Sequence, residues 1–177
     1  MASMKSLLSD LAQVINSMGV NRLFLTPTVA KLLQPAEVPG VEGIYLAGEP
    51  VTSDLVETWT PHCVVMNCYG PTEASILAAA GDIERGGNAR VIGHPFPNCA
   101  AMILEPDSLR LASYGAVGGP CLSGPQLARD YLNRPEATEK SFVMRGAGRI
   151  YRTGDLSRWL RNKRIECFGS YSSTVSE

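Results

Sequence analysis

The stretch "NCYGPTEAS", residues 67–75, gathers an aromatic ring, a hydroxyl and a carboxylate around a chain reversal. Ahead of it Val64, Val65 and Met66 form a short apolar run that reads as a buried strand. Gly70-Pro71 breaks the strand, and Thr72 reads as the N-cap of a helix over "EASILAAA". A strand, a tight turn and a helix start would aim backbone N–H groups and the positive end of the helix dipole at whatever lies before the turn, which suits an anion. Glu73 is out of keeping with a bound anion unless a cation joins it; the plainer reading is that it only complements the dipole. A second acid, Asp155 in "YRTGD", follows Gly154 and by itself reads equally well as a turn residue. Zinc chemistry finds no support. The five cysteines (Cys63, Cys68, Cys99, Cys121 and Cys167) are scattered without a C-x-x-C pair, and the two histidines, His62 and His94, lack ligand spacing. Buried free thiols in a reducing cytoplasm are the expectation.

The elements that must hold these residues follow from periodicity. Leu7, Leu8, Leu11, Val14, Ile15 and Met18 recur at helical spacing, and Gly19 stops the helix. "RLFLTP", "GIYLAG" and "CVVMNCYG" read as strands, with a short helix at "TVAKLLQ" and another at "SDLVETW" capped by Ser53. This alternation predicts a parallel, helix-flanked sheet over residues 1–80. The loops "LTPT", "LAGEP" and "YGPTE" would then lie at one edge of the sheet, where ligands usually bind. Residues 81–97 are Gly- and Pro-rich and read as a connection. Over residues 98–169 the texture is of short strands at "AAMILEP", "LRLAS", "GPCLSG", "RIYRTGD" and "RWLRNKRIECFG", with one short helix near "QLARDYL". That predicts a small β-rich, distorted barrel-like subdomain. The polar tail 170–177 is expected to be disordered.

Composition narrows the function classes. With 45% hydrophobic residues the chain can build a packed core, and a net charge of −1 asks for neither nucleic acid nor an anionic membrane. No run approaches the roughly 18 apolar residues of a transmembrane helix. The first helix is interrupted by Asp10 and Asn16, unlike a signal peptide, so a cytoplasmic location is expected. The cluster Arg158, Arg161, Lys163 and Arg164 reads as a solvated hairpin rather than an anion site.

"NCYGPTE", "LSGPQLARDYLNRPEAT" and "YRTGDLSRW", in this order and spacing, resemble the adenylation domain of nonribosomal peptide synthetases, in the adenylate-forming, AMP-binding superfamily; "LFLTPTVAKLL" and "GIYLAGEPV" match the same family. The resemblance covers nearly all of residues 5–169. It implies an α/β fold, part of the N-terminal domain of that family. It implies an enzyme that uses ATP and Mg²⁺ to convert an amino or carboxylic acid into an acyl-adenylate, then loads it on the phosphopantetheine thiol of a separate carrier domain, alongside condensation domains. By position, Tyr69 would stack on adenine, Asn67 would hydrogen-bond its amino edge, and Gly48 and Glu49 would form another wall. Thr72 would touch the α-phosphate, Glu73 would ligate Mg²⁺, and Asp155 would accept hydrogen bonds from the ribose hydroxyls. The acyl pocket would fall on Phe24, Tyr45, Ala47, Cys68, Ile76 and Leu77, all apolar or weakly polar, which suits a hydrophobic side chain.

The sequence also departs from the family pattern. The family's phosphate-holding Ser/Thr/Gly-rich loop and its substrate-pairing aspartate would stand before residue 1. After "ECFG" the family continues into an arginine, a hinge aspartate and a subdomain with the catalytic lysine, whereas here Ser170 follows Gly169. A truncated piece of a larger domain, not competent alone and favouring AMP over ATP, is the expectation. Gly119-Pro120 replaces a usual Glu-Leu pair, and "RNKR" replaces a turn that usually carries Asp-Gly, losing an easy source of positive φ. Two further readings stand beside this one. The first is a non-catalytic pseudoenzyme or interaction module, and the second a remnant of an acyl-CoA synthetase or carboxylate reductase.

Overall fold

The computed structural model describes residues 4–106 and 108–170. The side chains of Leu7 and Leu8 and the tail beyond Ser170 lie outside the described residues. The fold is mixed α/β, and by compactness the chain divides into two units, residues 1–67 with 82–89 and residues 68–81 with 90–177. These units do not follow the expected boundary at residue 80, because the "YGPTE" turn belongs with the second.

In the first unit, helix α1 (Met4–Ser17) precedes strand β1 (Arg22–Leu25), α2 (Pro27–Ala30), β2 (Gly43–Leu46), α3 (Ser53–Trp59) and β3 (Val64–Tyr69). The three strands pair in parallel, in the order β1-β2-β3. Period-2 alternation sorts their side chains. Leu23, Ile44, Leu46 and Val65 go into one core with Ile15 of α1 and Leu55, Val56 and Trp59 of α3. Phe24, Tyr45 and Met66 stand side by side in register on the other face, and Phe24 is 54% exposed. Thr26 caps α2 by accepting from the Val29 N–H, with Pro27 at the first helical position. The cap of α3 is Thr52, one residue earlier than expected, and it makes no side-chain cap bond. Val14 of α1 and Met18 just beyond its end remain exposed, although both belong to the apolar spacing that predicted the helix.

The second unit is antiparallel. Strand β4 (Ala79–Asp82), β5 (Val91–Pro95), β6 (Ala100–Leu104), β7 (Gly119–Ser123), helix α4 (Pro135–Ser141), β8 (Phe142–Arg145), β9 (Gly148–Arg152), β10 (Asp155–Trp159) and β11 (Ile165–Ser170) follow one another. They pair as β4-β5-β11-β10 and as β6-β7-β9-β8. A bridge between Gly118 and Ser157 ties the two arrays together.

Several local expectations fail here for identifiable reasons. "EASILAAA" is not an α-helix. Thr72–Ala74 makes one 3₁₀ turn and Ser75 adopts φ 56°, Ile76 follows at φ 74°, and the chain returns so that the Ala78 N–H donates to the Tyr69 carbonyl. Two successive left-handed residues cannot continue a helix. What holds them is tertiary: Ala74 and Ala78 are fully buried in one apolar cluster, which no helical periodicity announces. "QLARDYL" is likewise a loop, and the helix falls on Pro135–Ser141 with proline at its start. The Gly/Pro-rich connection contains β5, "LRLAS" makes only a bridge from Leu111 to Leu104, and β8 pairs with β9 in a hairpin that "FVMR" did not suggest.

Pro120 sits in β7 between β6 and β9. It contributes no N–H, yet its carbonyl still accepts from the Thr153 N–H and Oγ1. The departure at "RNKR" has the consequence that the sequence implied. Leu160 to Arg164 closes the β10–β11 hairpin with the Leu160 N–H donating to the Arg164 carbonyl, and Lys163 takes the left-handed position at φ 62°. Glycine is favoured there. Lys163→Gly should therefore raise the stability of the chain, by about 1 kcal/mol, as a rise in urea midpoint with the slope unchanged.

Candidate functional site

Strand β3 ends at Tyr69, and Gly70-Pro71 turns the chain immediately after it. Gly70 has no alternative, since a Cβ there would strike the backbone of Ile76 and Leu77. This close approach pins the turn and aims Tyr69 toward the start of β10. There its phenol donates a 2.5 Å hydrogen bond to Asp155 Oδ2, across 86 residues of sequence. Asp155 is aimed by the tight "RTGD" turn, with Gly154 at φ 79° and the Asp155 N–H donating to Thr153 Oγ1 at 3.2 Å. Burial, and then the Asp155 charge, push the Tyr69 phenol well above its ordinary range, so it remains a donor at every physiological pH.

Four residues on, Glu73 is half-buried in the 3₁₀ turn. Its Oε1 accepts from the Tyr131 phenol, and its backbone carbonyl accepts from the Ala128 N–H at 2.7 Å. Neither Glu73 nor Asp155 forms an ion pair among the described residues. Two half-buried carboxylates held by phenols rather than by Lys or Arg are suited to ligands that the protein itself does not supply, such as a cation or hydroxyl groups. No group of three His, Cys, Asp or Glu gathers into a metal cluster among the described residues. A lone carboxylate fits Mg²⁺, which keeps several waters and completes its shell with substrate phosphates; it would not suit zinc. Thr72, at the head of the turn, is exposed. Of the residues expected to line an acyl pocket, three lie in this unit: Cys68 is buried at 5% exposure, Ile76 is exposed and Leu77 is intermediate.

The first unit holds the remaining candidates. Glu49 Oε2 accepts from Thr28 Oγ1 at 2.6 Å and from the Thr28 N–H at 2.9 Å, and these bonds hold its carboxyl below the usual range. The "LTPT" and "LAGEP" loops are thereby stitched together, with Gly48 at φ 84° supplying the bend. Asn67 is buried and its Nδ2 donates to the Ala89 carbonyl at 2.9 Å. Phe24 and Tyr45 are register partners on β1 and β2, and Ala47 follows β2 at intermediate exposure. Met66 belongs to the same row and was missed by the sequence reading, although strand alternation placed it beside Cys68. Also missed was Tyr131, whose partner Glu73 lies 58 residues away. Its only signal was its place inside the "LSGPQLARDYLNRPEAT" stretch.

A model of the AMP-binding enzyme family matches residues 2–132. The chain belongs to the AMP-binding enzyme family. Its relatives include nonribosomal peptide synthetase 7 of Aspergillus fumigatus, 46% identical over 98% of this chain and 7% of that protein. Another is nonribosomal peptide synthetase sidE of the same organism, 45% identical over 98% of this chain and 8% of that protein. The chain thus spans less than a tenth of the length of these curated relatives. Among solved structures it is similar to holo-PA1221, a synthetase protein containing adenylation and PCP domains bound to a vinylsulfonamide inhibitor. That match has a TM-score of 0.81 and 25% identity over 92% of this chain and 31% of the other. An artificially fused adenylation-PCP di-domain, NpsA-ThdA from Klebsiella oxytoca, shares the fold at a TM-score of 0.81 and 22% identity, over 92% of this chain and 33% of the other. This AMP-binding family chain thus shares its fold with part of those adenylation-containing proteins. None of its helices, among the described residues, is long and apolar enough to cross a membrane.

Proposed function

We propose that this segment carries the nucleotide-handling part of an adenylation domain that activates an amino acid with ATP and passes it to a carrier thiol in nonribosomal peptide synthesis. The observation that carries the reading is the 2.5 Å hydrogen bond from the Tyr69 phenol to Asp155 Oδ2, which brings a ring and a carboxylate from separate motifs to one place. A carboxylate has about four acceptor sites, so Asp155 can hold the phenol and still accept from vicinal ribose hydroxyls. Tyr69 offers its ring for stacking on adenine, and its hydrogen bond keeps Asp155 in one rotamer. Thr72 and Glu73 follow on the same turn, at the α-phosphate and the metal respectively. Mg²⁺ held by Glu73 would neutralise charge on the phosphates. By the family resemblance, Gly48, Glu49 and Asn67 of the first unit are assigned to the adenine edge, and Phe24, Tyr45 and Ala47 of the first unit and Cys68, Ile76 and Leu77 of the second are each assigned to contact with an apolar acyl side chain.

Phosphopantetheine enters on a carrier domain, and condensation domains complete the longer assembly. The family match and the synthetase relatives support this class. Because the chain spans so little of those synthetases, activation is assigned to the longer polypeptide, and the purified chain should show no amino-acid-dependent pyrophosphate exchange.

Titration calorimetry with AMP tests the reading. The wild-type chain should bind at roughly millimolar Kd, about −4 kcal/mol. Asp155→Ala should weaken this beyond detection. Equal affinities would remove Asp155 from the site, and pyrophosphate exchange at an ordinary enzymatic rate would overturn the claim that the segment is insufficient alone.

A further inference from the structure

We propose that Tyr131 is a positioning residue that fixes the Glu73 carboxylate for its cation, and that the loop over residues 124–134 exists to deliver it. The inference rests on the reading of Glu73 as the metal ligand. Its geometry is independent of that reading. Tyr131 donates its phenol to Glu73 Oε1. It is itself held on three sides: its N–H donates to Thr138 Oγ1 at 3.0 Å, its carbonyl accepts from the Arg134 N–H at 3.0 Å, and its ring meets Phe142 edge-on at 5.6 Å between centroids.

The loop is fastened to the Glu73 turn at two more points. The Ala128 N–H donates to the Glu73 carbonyl, and Ser75 Oγ donates to the Gln126 carbonyl at 2.9 Å. A clamp closes it from the other side. Arg149 of β9 donates from Nη1 to the Ala128 carbonyl at 2.6 Å and from Nη2 to the Arg129 carbonyl, while its guanidinium lies 4.2 Å from the centroid of Phe142. A loop with no regular structure is thus held by backbone and side-chain hydrogen bonds, with Arg149 braced on Phe142, and of these contacts the Tyr131 phenol is the one that reaches the Glu73 carboxylate. By taking Oε1, Tyr131 fixes the carboxylate's rotamer, so that the cation meets a preset oxygen and pays no ordering cost.

Manganese, a paramagnetic substitute for Mg²⁺, gives a readout that does not require turnover. Binding of Mn²⁺·ATP to the purified chain is followed by electron paramagnetic resonance for wild type, Tyr131→Phe and Glu73→Gln. AMP affinity without metal is measured in parallel. Tyr131→Phe keeps the ring on Phe142 and removes only the donor. Expected are about a tenfold loss of Mn²⁺·ATP affinity in Tyr131→Phe, comparable to losing one hydrogen bond to a charged group, a larger loss in Glu73→Gln, and unchanged AMP affinity in Tyr131→Phe. If Glu73→Gln weakens binding and Tyr131→Phe does not, the positioning role is overturned and the metal ligand stands. If Glu73→Gln binds like wild type, the metal assignment falls and the proposal falls with it. If Tyr131→Phe loses AMP and Mn²⁺·ATP alike, Tyr131 is only structural and the proposal is likewise overturned.

Discussion

Gly93→Ala should destabilise the second unit by roughly 3 kcal/mol or more. Gly93 lies in β5 with φ 75°, where a side chain costs about 1–2 kcal/mol by conformation alone. The larger cost is steric. A Cβ at Gly93 would run into the Ala80 carbonyl and Gly81, and one at Gly81 would lie 2.5 Å from the Gly93 Cα. Both clashes are with backbone, which has no rotamer to yield. The two glycines let β4 and β5 approach more closely than side chains allow. This bears on the site: β4 continues the turn that carries Glu73, and β5 pairs with β11, which pairs with β10 and so with Asp155. Gly119→Ala provides the control, because nothing lies within 4 Å of its added Cβ and the change should fall within about 0.5 kcal/mol. Urea unfolding of the three chains decides the matter. A Gly93→Ala midpoint equal to that of wild type would mean that β4 and β5 do not pack this closely.

Such a contact could not be read from the sequence, and its character explains which features were legible. Strands β1, β2 and β3 and helix α3 announced themselves because one face of each is buried and the apolar residues keep the period of the element. Gly19 was legible because its chemistry is local, whereas Thr26-Pro27, read only as closing the strand, caps and opens α2 over Pro27–Ala30, shorter than the helix expected at "TVAKLLQ". The segment after Gly70 was not. "EASILAAA" has helix-forming composition, and what overrides it is burial of Ala74 and Ala78 against Cys99 and Leu122, which is long-range. Strand β5 hid among glycines that mark a close approach, not a loop. The same division runs through the site. The motif residues Tyr69, Glu73 and Asp155 were named from resemblance, whereas the hydrogen bond joining Tyr69 to Asp155 and the phenol on Glu73 arise from pairings 86 and 58 residues apart. Lys163 is the counter-example. There a missing glycine in a hairpin pointed to a strained backbone position, and the residue at that position has positive φ.

In the first unit the largest loss is expected at Trp59. Helix α3 buries Leu55, Val56 and Trp59, and Trp59 at 1% exposure is among the largest fully buried side chains. It shares its core with Ile44, Leu46 and Val65, residues of the strands whose opposite face presents Phe24, Tyr45 and Met66. Trp59→Ala removes the indole and leaves a cavity, at a cost of about 3–5 kcal/mol. Trp59→Phe separates packing from polarity. The indole Nε1 is buried without an acceptor among the described residues, and a buried donor left unpaired costs about 1–3 kcal/mol. Phenylalanine fills most of the space and carries no N–H, so relief of that penalty should offset much of the lost contact, leaving a net cost of about 1 kcal/mol or less. Far-UV circular dichroism through a urea titration gives both numbers, free of the fluorescence of Trp159, the other tryptophan. If Trp59→Phe costs as much as Trp59→Ala, the indole N–H has a partner and the core depends on that bond rather than on volume. If both substitutions are mild, α3 does not anchor the sheet, and the row of Phe24, Tyr45 and Met66 must be supported from elsewhere.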